Sequence, residues 1–397
     1  MHRPDSSLKV LHVTTSFPSG PGDVAGPFIL RLVESLQRDC HIECTVLTPG
    51  NTSGSSWPEY MKVVRFPYGP RPFQILAQRP GGIPQALKES KLSWFLLPSM
   101  MMSMWYWIQR LSKEHHLVHA HWSASGAVAT FGVKKRGLVV TLHGSDVNRA
   151  RPGNVFHLLL GRVVSSADYV ALVSRDMEAR LKRDYSIDEN KVGFVPNGVS
   201  QDFFDIDPSA RWKGGLFRFL FVGSLIKSKG LDVLLTALSK LDVGLEWELV
   251  ILGDGPERTS LEELAGNLGI GARISFAGGV GPSAVSRYME KAHCLVLPSY
   301  SEGRPSVILE AMAASLPVVA SDIPGNRELV RHRRTGCLFQ PGDVKGLAQT
   351  LALLLTDHEL GQRMGAEGRA WMVHQGLTWK STARRYAEIY KKIVSSK

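Results

Sequence analysis

Two carboxylates eight positions apart, Glu302 and Glu310, lie across a strand-to-helix corner predicted in the segment Tyr300-Ser-Glu302-Gly-Arg-Pro-Ser-Val-Ile-Leu-Glu310-Ala-Met-Ala. Upstream, His293-Cys-Leu-Val-Leu-Pro298 has the length and apolar character of a buried strand, and Leu316-Pro-Val-Val-Ala-Ser321 repeats it downstream. Gly303 and Pro305 make the turn and a helix follows, so the segment reads as one β-α-β unit. In an open parallel sheet, ligands bind outside the carboxyl ends of the strands. Glu302 then sits at the lip of that crevice and Glu310 on the second helical turn, where both acids can face one ligand. Glutamates also gather near helix starts for dipole reasons alone, so the pair by itself does not specify what is bound.

Three further clusters carry candidate chemistry. Phe221-Val-Gly223-Ser224-Leu-Ile-Lys-Ser-Lys229-Gly230 leaves a strand, turns at glycine and enters a helix with a lysine at its start, a sequence suited to cradling a diphosphate. Val139-Val-Thr-Leu-His143-Gly144-Ser-Asp146 ends another strand at a polar tip, with Asp146 and the Gly144 turn setting the approach of His143; the alternative is a histidine merely satisfied at a strand end. His119 and His121, in Leu117-Val-His-Ala-His-Trp122, are read as pointing to opposite faces of a strand, which would keep them from chelating one metal. Asp205-Ile-Asp207 lies away from any strand end, and Cys40 with Cys44 lacks a second ligand pair, so no essential metal is expected. Leu252-Gly253-Asp254-Gly255-Pro256 follows a strand, but Arg258 occupies the third glycine position of a dinucleotide fingerprint, so no such cofactor is expected.

These segments need scaffolds. At 397 residues the chain exceeds one ordinary core, and two domains of roughly 200 residues are expected. Short apolar runs at 9–15, 42–47, 63–66, 117–120, 138–142, 169–173 and 192–195 alternate with helical patterns, and a glycine- and proline-rich loop holding Gly26 follows the first run. The turn-rich stretch 196–212 breaks the alternation and suits an interdomain linker. The pattern then restarts with strands expected at 217–222, 247–252, 273–276, 294–297 and 317–320. The fold class is therefore α/β with two Rossmann-like doubly wound domains, 1–200 and 201–376.

The string from Leu297 to Ala313, followed by Leu316-Pro-Val-Val-Ala-Ser-Asp322-Ile-Pro-Gly325, resembles the signature of the retaining GT-B glycosyltransferases called group 1 or family 4. The resemblance implies two domains facing each other across a cleft, with residues 377–397 crossing back onto the first, acceptor-side domain; Trp379 and Tyr386 are given a structural role there. It implies that the second domain binds a nucleotide-sugar donor. Glu310 would then accept hydrogen bonds from ribose hydroxyls, and Glu302 would lie near the sugar ring. Lys229 would steady the departing diphosphate, and His143 would meet donor sugar or acceptor. The amides from Gly303 through Arg304, Pro305, Ser306 and Val307 to Ile308, proline excepted, would hold hydroxyls or phosphate with Arg304 beside them. Gly26 would bring backbone close to the reacting centre. The family pattern Gly-Arg-Leu-x-x-x-Lys-Gly is matched by Gly223 and Lys229, but Ser224 replaces its arginine, and Lys227 is either a substitute cation or a solvated lysine. The acceptor implied is a saccharide or lipid-linked saccharide in polysaccharide or glycoconjugate biosynthesis. An epimerase on a similar fold, and a sugar-nucleotide-binding protein with impaired catalysis, are the alternatives.

The net charge of +11 suits nucleic acid, an anionic membrane or a phosphorylated substrate equally; with the resemblance, no nucleic-acid partner is expected. The uncharged stretch 92–108 contains Pro98 and is short for a span. It adjoins Arg65, Arg71, Arg79, Lys88 and Lys91 against the single acid Glu89, a pairing suited to peripheral contact with anionic membrane; packing on the first sheet is the other reading. No secretory signal precedes the first strand and the four cysteines form no framework, so a cytoplasmic location is expected.

Overall fold

The structure, a computed structural model, describes residues 7–397 except 19, 21–26, 51–56, 59, 78–82, 84–85, 88–89, 134–135, 213–214 and 243. The chain divides into two compact units, Met1–Gly198 with Trp379–Lys397, and Val199–Thr378.

The first unit carries strands β1 (Lys9–Val13), β2 (Glu43–Pro49), β3 (Lys62–Phe66), β4 (Leu117–His121), β5 (Gly137–Leu142), β6 (Tyr169–Leu172) and β7 (Val192–Phe194). All pair in parallel, in the order β3-β2-β1-β4-β5-β6-β7. Helices cover both faces of such a sheet, which is why its central strands read as nearly continuous apolar runs. Val10, Leu11 and Val13 are fully buried, and so, against that pattern, is His12. The C-terminal helix Trp379–Ser395 buries Trp379, Ala383, Tyr386, Tyr390 and Ile393, residues three or four apart, in a cluster shared with Ile29, Val33 and Leu36 of helix Pro27–Cys40.

The second unit repeats the plan. Its strands β8 (Phe217–Val222), β9 (Trp247–Leu252), β10 (Ile274–Gly278), β11 (Cys294–Leu297), β12 (Val318–Ser321) and β13 (Gly336–Phe339) form a parallel sheet ordered β10-β9-β8-β11-β12-β13. In each unit the order reverses beside the first strand, between β1 and β4 and between β8 and β11. The carboxyl ends at those two points are where such sheets bind ligands.

Three expectations need correction. The strand β13 went unseen; it starts at glycine, holds only three apolar side chains and pairs at a sheet edge. The supposed linker is largely packed into the second unit: Phe203, Phe204 and Ile206 join its core. Arg211 donates to the carbonyls of Met289, Ala314 and Ser315 at 2.9–3.1 Å, and Arg369 donates to those of Phe204 and Ile206. Residues 92–108 belong to helix Lys91–Leu111, which holds Pro98 and has two different faces. Met100, Met104 and Ile108 pack inward, whereas Trp94, Phe95, Met102, Trp105 and Tyr106 are exposed. Arg65 is buried and donates to the Pro18 carbonyl, so it does not extend a basic surface; Arg79, Lys88 and Glu89 lie outside the described residues. Among the described residues no helix is long and apolar enough to cross a membrane.

Candidate functional site

The loops that leave β8 and β11 meet because glycines let their backbones touch. Gly230 has φ +65°, and a Cβ there would stand 2.3 Å from the Pro298 carbonyl oxygen, a contact only glycine permits. With that approach, the Tyr300 amide donates to the Ser228 carbonyl at 2.9 Å. The short turn Lys227–Lys229 is thereby held against the corner, and Lys229 Nζ reaches Glu302 Oε1 at 2.6 Å. The same carboxylate oxygen accepts from Ser299 Oγ at 2.7 Å. Ser299 is fully buried and braced from behind: Ser321 Oγ donates to its carbonyl, and Asn326 Nδ2 donates to the Ser321 carbonyl at 2.9 Å.

The other face of the Lys229 loop rests on the rejected dinucleotide motif. Gly253 has φ +147°, and its absent Cβ would lie 1.9 Å from the Gly223 carbonyl oxygen; Leu225 N–H donates to the Asp254 carbonyl at 2.9 Å. Leu252-Gly253-Asp254-Gly255 therefore serves as a support for the Gly223 turn. Sequence reasoning missed Ser299, Asn326, Gly230 and Gly253, although the glycines were visible as loop punctuation.

Helix Ser306–Ala313 begins directly after Pro305, and its first-turn amides have no acceptor within the helix. Val307 packs on the core and Ile308 is fully buried, so these two can offer backbone groups only; Ser306 is exposed. Glu310 lies half-buried on the second turn. Arg304 departs from the expected substrate-facing cation: its side chain is 3% exposed and pairs with Glu328 at 3.4 Å. Ser224 is half-buried, with its carbonyl accepting from Ile226 N–H at 3.0 Å, and Lys227 is exposed.

In the first unit His143 follows β5 directly. Asp146 is buried, with Oδ2 accepting from the Ser123 amide at 3.0 Å and Oδ1 from the Gly144 and Val147 amides at 3.1 Å each. Burial pushes its carboxyl up against the opposite pull of those amides. Both of its oxygens are engaged in fastening the Gly144 turn that follows His143. Gly26 lies outside the described residues.

The reading of His119 and His121 is wrong in its geometry. Residues i and i+2 of a strand share a face, and their ring centroids stand 4.3 Å apart. His12, on the adjacent strand, joins them, and nitrogens of the three lie within 4.8 Å of one another. His119 Nδ1 bonds the Tyr390 hydroxyl at 2.6 Å and its Nε2 bonds Thr141 Oγ1 at 2.7 Å. The His143 ring lies tilted against Phe28 and Trp122, with centroids 4.7 and 4.9 Å away. Burial lowers the pKa of His12 and His143 to about 3 and holds His119 and His121 well below the ordinary value.

Two predictions follow from this geometry. A histidine whose folded pKa is depressed is protonated more readily in the unfolded chain, so its contribution is present above pH 6.5 and is lost as pH falls toward the folded value. The four buried histidines should each remove about 1 kcal/mol between pH 7.5 and 5.5, read as a falling urea midpoint; a midpoint that does not move would refute their neutral burial. Gly253→Ala should cost about 1–3 kcal/mol, because it strains a backbone that contacts the Gly223 turn; an unchanged melting temperature would contradict the close approach.

The family model Glycosyl transferase 4-like domain matches residues 25–198, and Glycosyl transferases group 1 matches residues 202–371. A GDP-mannose-dependent alpha-(1-6)-phosphatidylinositol monomannoside mannosyltransferase of Mycobacterium tuberculosis is 28% identical over 304 residues, covering 72% of this chain and 78% of its own. The structure of sucrose-phosphate synthase from Thermosynechococcus elongatus aligns with a TM-score of 0.80 at 21% identity, covering 98% of this chain and 100% of that one. Anabaena HepE in complex with UDP-glucose aligns at 0.72 and 18%, covering 97% and 100%. With two parallel-sheet units of the GT-B type and both halves matched, the chain belongs to the group 1, family 4-like glycosyltransferases.

Proposed function

We propose that this glycosyltransferase moves a hexose from a nucleoside diphosphate sugar to a hydroxyl of a saccharide or lipid-linked saccharide, with retention of anomeric configuration. The observation that carries the reading is the Lys229–Glu302 pair beside the amino end of helix Ser306–Ala313. A cation and unpaired amides suit a diphosphate, and a carboxylate held against them suits the positive charge that develops on the anomeric carbon. The named donors of two similar proteins, GDP-mannose and UDP-glucose, support a nucleotide sugar without choosing the base.

In the proposed reaction the bond from the anomeric carbon to the β-phosphate oxygen breaks as the acceptor oxygen attacks the same face. The acceptor proton passes to the departing diphosphate. Lys229 steadies the charge on that diphosphate, Glu310 holds the ribose and Glu302 stabilises the cationic ring. His143 contacts sugar or acceptor. No divalent metal takes part in this reading; the acids Asp205 and Asp207 are engaged with Gln201 and with Ser209 in local turns.

A thermal-shift screen with UDP, GDP, ADP and their sugars should find one base that raises the melting temperature. With that donor, Lys229→Ala and Glu302→Gln should each lower kcat by about 10²–10³, EDTA should leave the rate unchanged, and coupling constants in the product should report retention. Inverted product, or full activity in both variants, would refute the mechanism.

The exposed Trp94, Phe95, Met102, Trp105 and Tyr106 beside exposed Lys91 and Arg110 support docking on an anionic membrane, at its cytoplasmic face, where a lipid-linked acceptor would be met. The protein should sediment with phosphatidylglycerol vesicles, less with phosphatidylcholine ones, and Trp94→Glu with Phe95→Glu should abolish sedimentation. Equal recovery in the supernatant with both lipids would remove the membrane role.

A further inference from the structure

Backbone strain marks one aromatic residue at the carboxyl end of the first sheet. Trp122, directly after β4, has φ +66° and ψ 158°, a region that glycine enters freely and a bulky residue does not. Holding a tryptophan there costs about 1–3 kcal/mol. The surroundings enforce the conformation: the Trp122 amide donates to the Thr141 carbonyl at 2.8 Å, and the Trp122 carbonyl accepts from the Gly126 amide at 3.0 Å.

The strain relocates the ring. Side chains alternate along a strand, so by continuation Trp122 would share the face of Val118 and Ala120, opposite Leu117, His119 and His121. Val118 and Ala120 belong to one core cluster of the first unit and Leu117 to the other. Trp122 packs instead against the cluster of Leu117, next to Phe28, the second residue of helix Pro27–Cys40. Its ring centroid stands 5.8 Å from that of Phe28, edge-on, and 4.9 Å from that of His143. Asp146 ties the two turns together: one carboxylate oxygen takes the amide of Ser123, which follows Trp122, and the other takes the amide of Gly144, which follows His143.

The indole is thus set where β1, β4 and β5 end, at the reversal of strand order that serves ligands in such sheets. Trp122 and Phe28 are each half-buried, so the cluster is not closed over. Glycine would occupy position 122 without strain, and an ordinary strand conformation would send the ring to the opposite core; an indole is kept at this spot against both. We propose that Trp122, with Phe28 beside it, is the platform of a saccharide subsite and receives the C–H face of a pyranose ring of the acceptor. An aromatic face carries partial negative charge, and the C–H groups of a sugar, polarised by the neighbouring oxygens, complement it. The inference rests on the reading of the reaction as transfer to a saccharide hydroxyl, and it adds the side chain that selects a sugar ring.

Saturation-transfer NMR with methyl glycosides of glucose, galactose, mannose and N-acetylglucosamine, recorded with and without each of UDP, GDP and ADP, reads this subsite without turnover. At least one glycoside should receive saturation on the ring protons of one face. Trp122→Gly, which relaxes the backbone while removing the indole, should weaken that binding about 10-fold or more, and Trp122→Phe should retain most of it. No saturation of any glycoside by the wild-type protein, undiminished binding in Trp122→Gly, or displacement of the glycoside by a nucleoside diphosphate would each overturn the proposal. Where Trp122→Gly does not fold, Phe28→Leu is expected to weaken the binding at the adjoining ring, and unchanged binding there counts against the platform in the same way. Because binding is read apart from catalysis, inverted product or full activity in Lys229→Ala would refute the proposed reaction while a glycoside bound at Trp122 still stood.

Discussion

The arrangement of the second unit turns on an ammonium and a carboxylate, 73 residues apart in sequence, being held 2.6 Å apart. Long flexible side chains gain little from such a contact at a wet surface. Here the partners are largely enclosed, and Ser299 already holds the acceptor oxygen. The surroundings supply the geometry: Gly230 lies against Pro298, Gly253 against Gly223, and Asn326 secures Ser321 and through it Ser299. These contacts fix the backbone on either side of the pair.

The parallel sheets make that brace affordable in structural terms. Because both faces of each sheet are covered by helices, strand interiors are apolar and the polar groups collect at the carboxyl ends. The exceptions stand out physically. His12, His119 and His121 occupy fully buried positions inside the first sheet, and all their ring nitrogens except His12 Nε2 find partners on neighbouring strands, on the loop after β5 or on the C-terminal helix. Tyr386 and Tyr390 provide hydroxyls there as well as apolar bulk, reaching Thr141 and His119 respectively.

Much of the fold was legible because parallel strands announce themselves as short apolar runs, and twelve of the thirteen strands among the described residues coincide with such runs. The exception, β13, is led by glycine and pairs at the edge of its sheet. The packing of residues 199–211 into the second unit was hidden because turn chemistry says where the chain bends and nothing about what the bend rests on. In the site, Glu302, Gly223 and Lys229 could be singled out by type and spacing. The ion pair of Arg304 with Glu328 could not, since a charged residue in a motif looks the same whether it faces solvent or another side chain.

The sequence by itself determined the α/β class, the restart of the pattern near residue 200 and the loops in which polar groups gather, because strand burial, helix periodicity and turn preference are properties of neighbouring residues. Only the tertiary structure decided which of those groups meet. The contact of Lys229 with Glu302, the support of Gly223 by Gly253 and the file of His12, His121 and His143 all depend on which strands lie side by side, and strand order is set by packing between segments far apart in the chain.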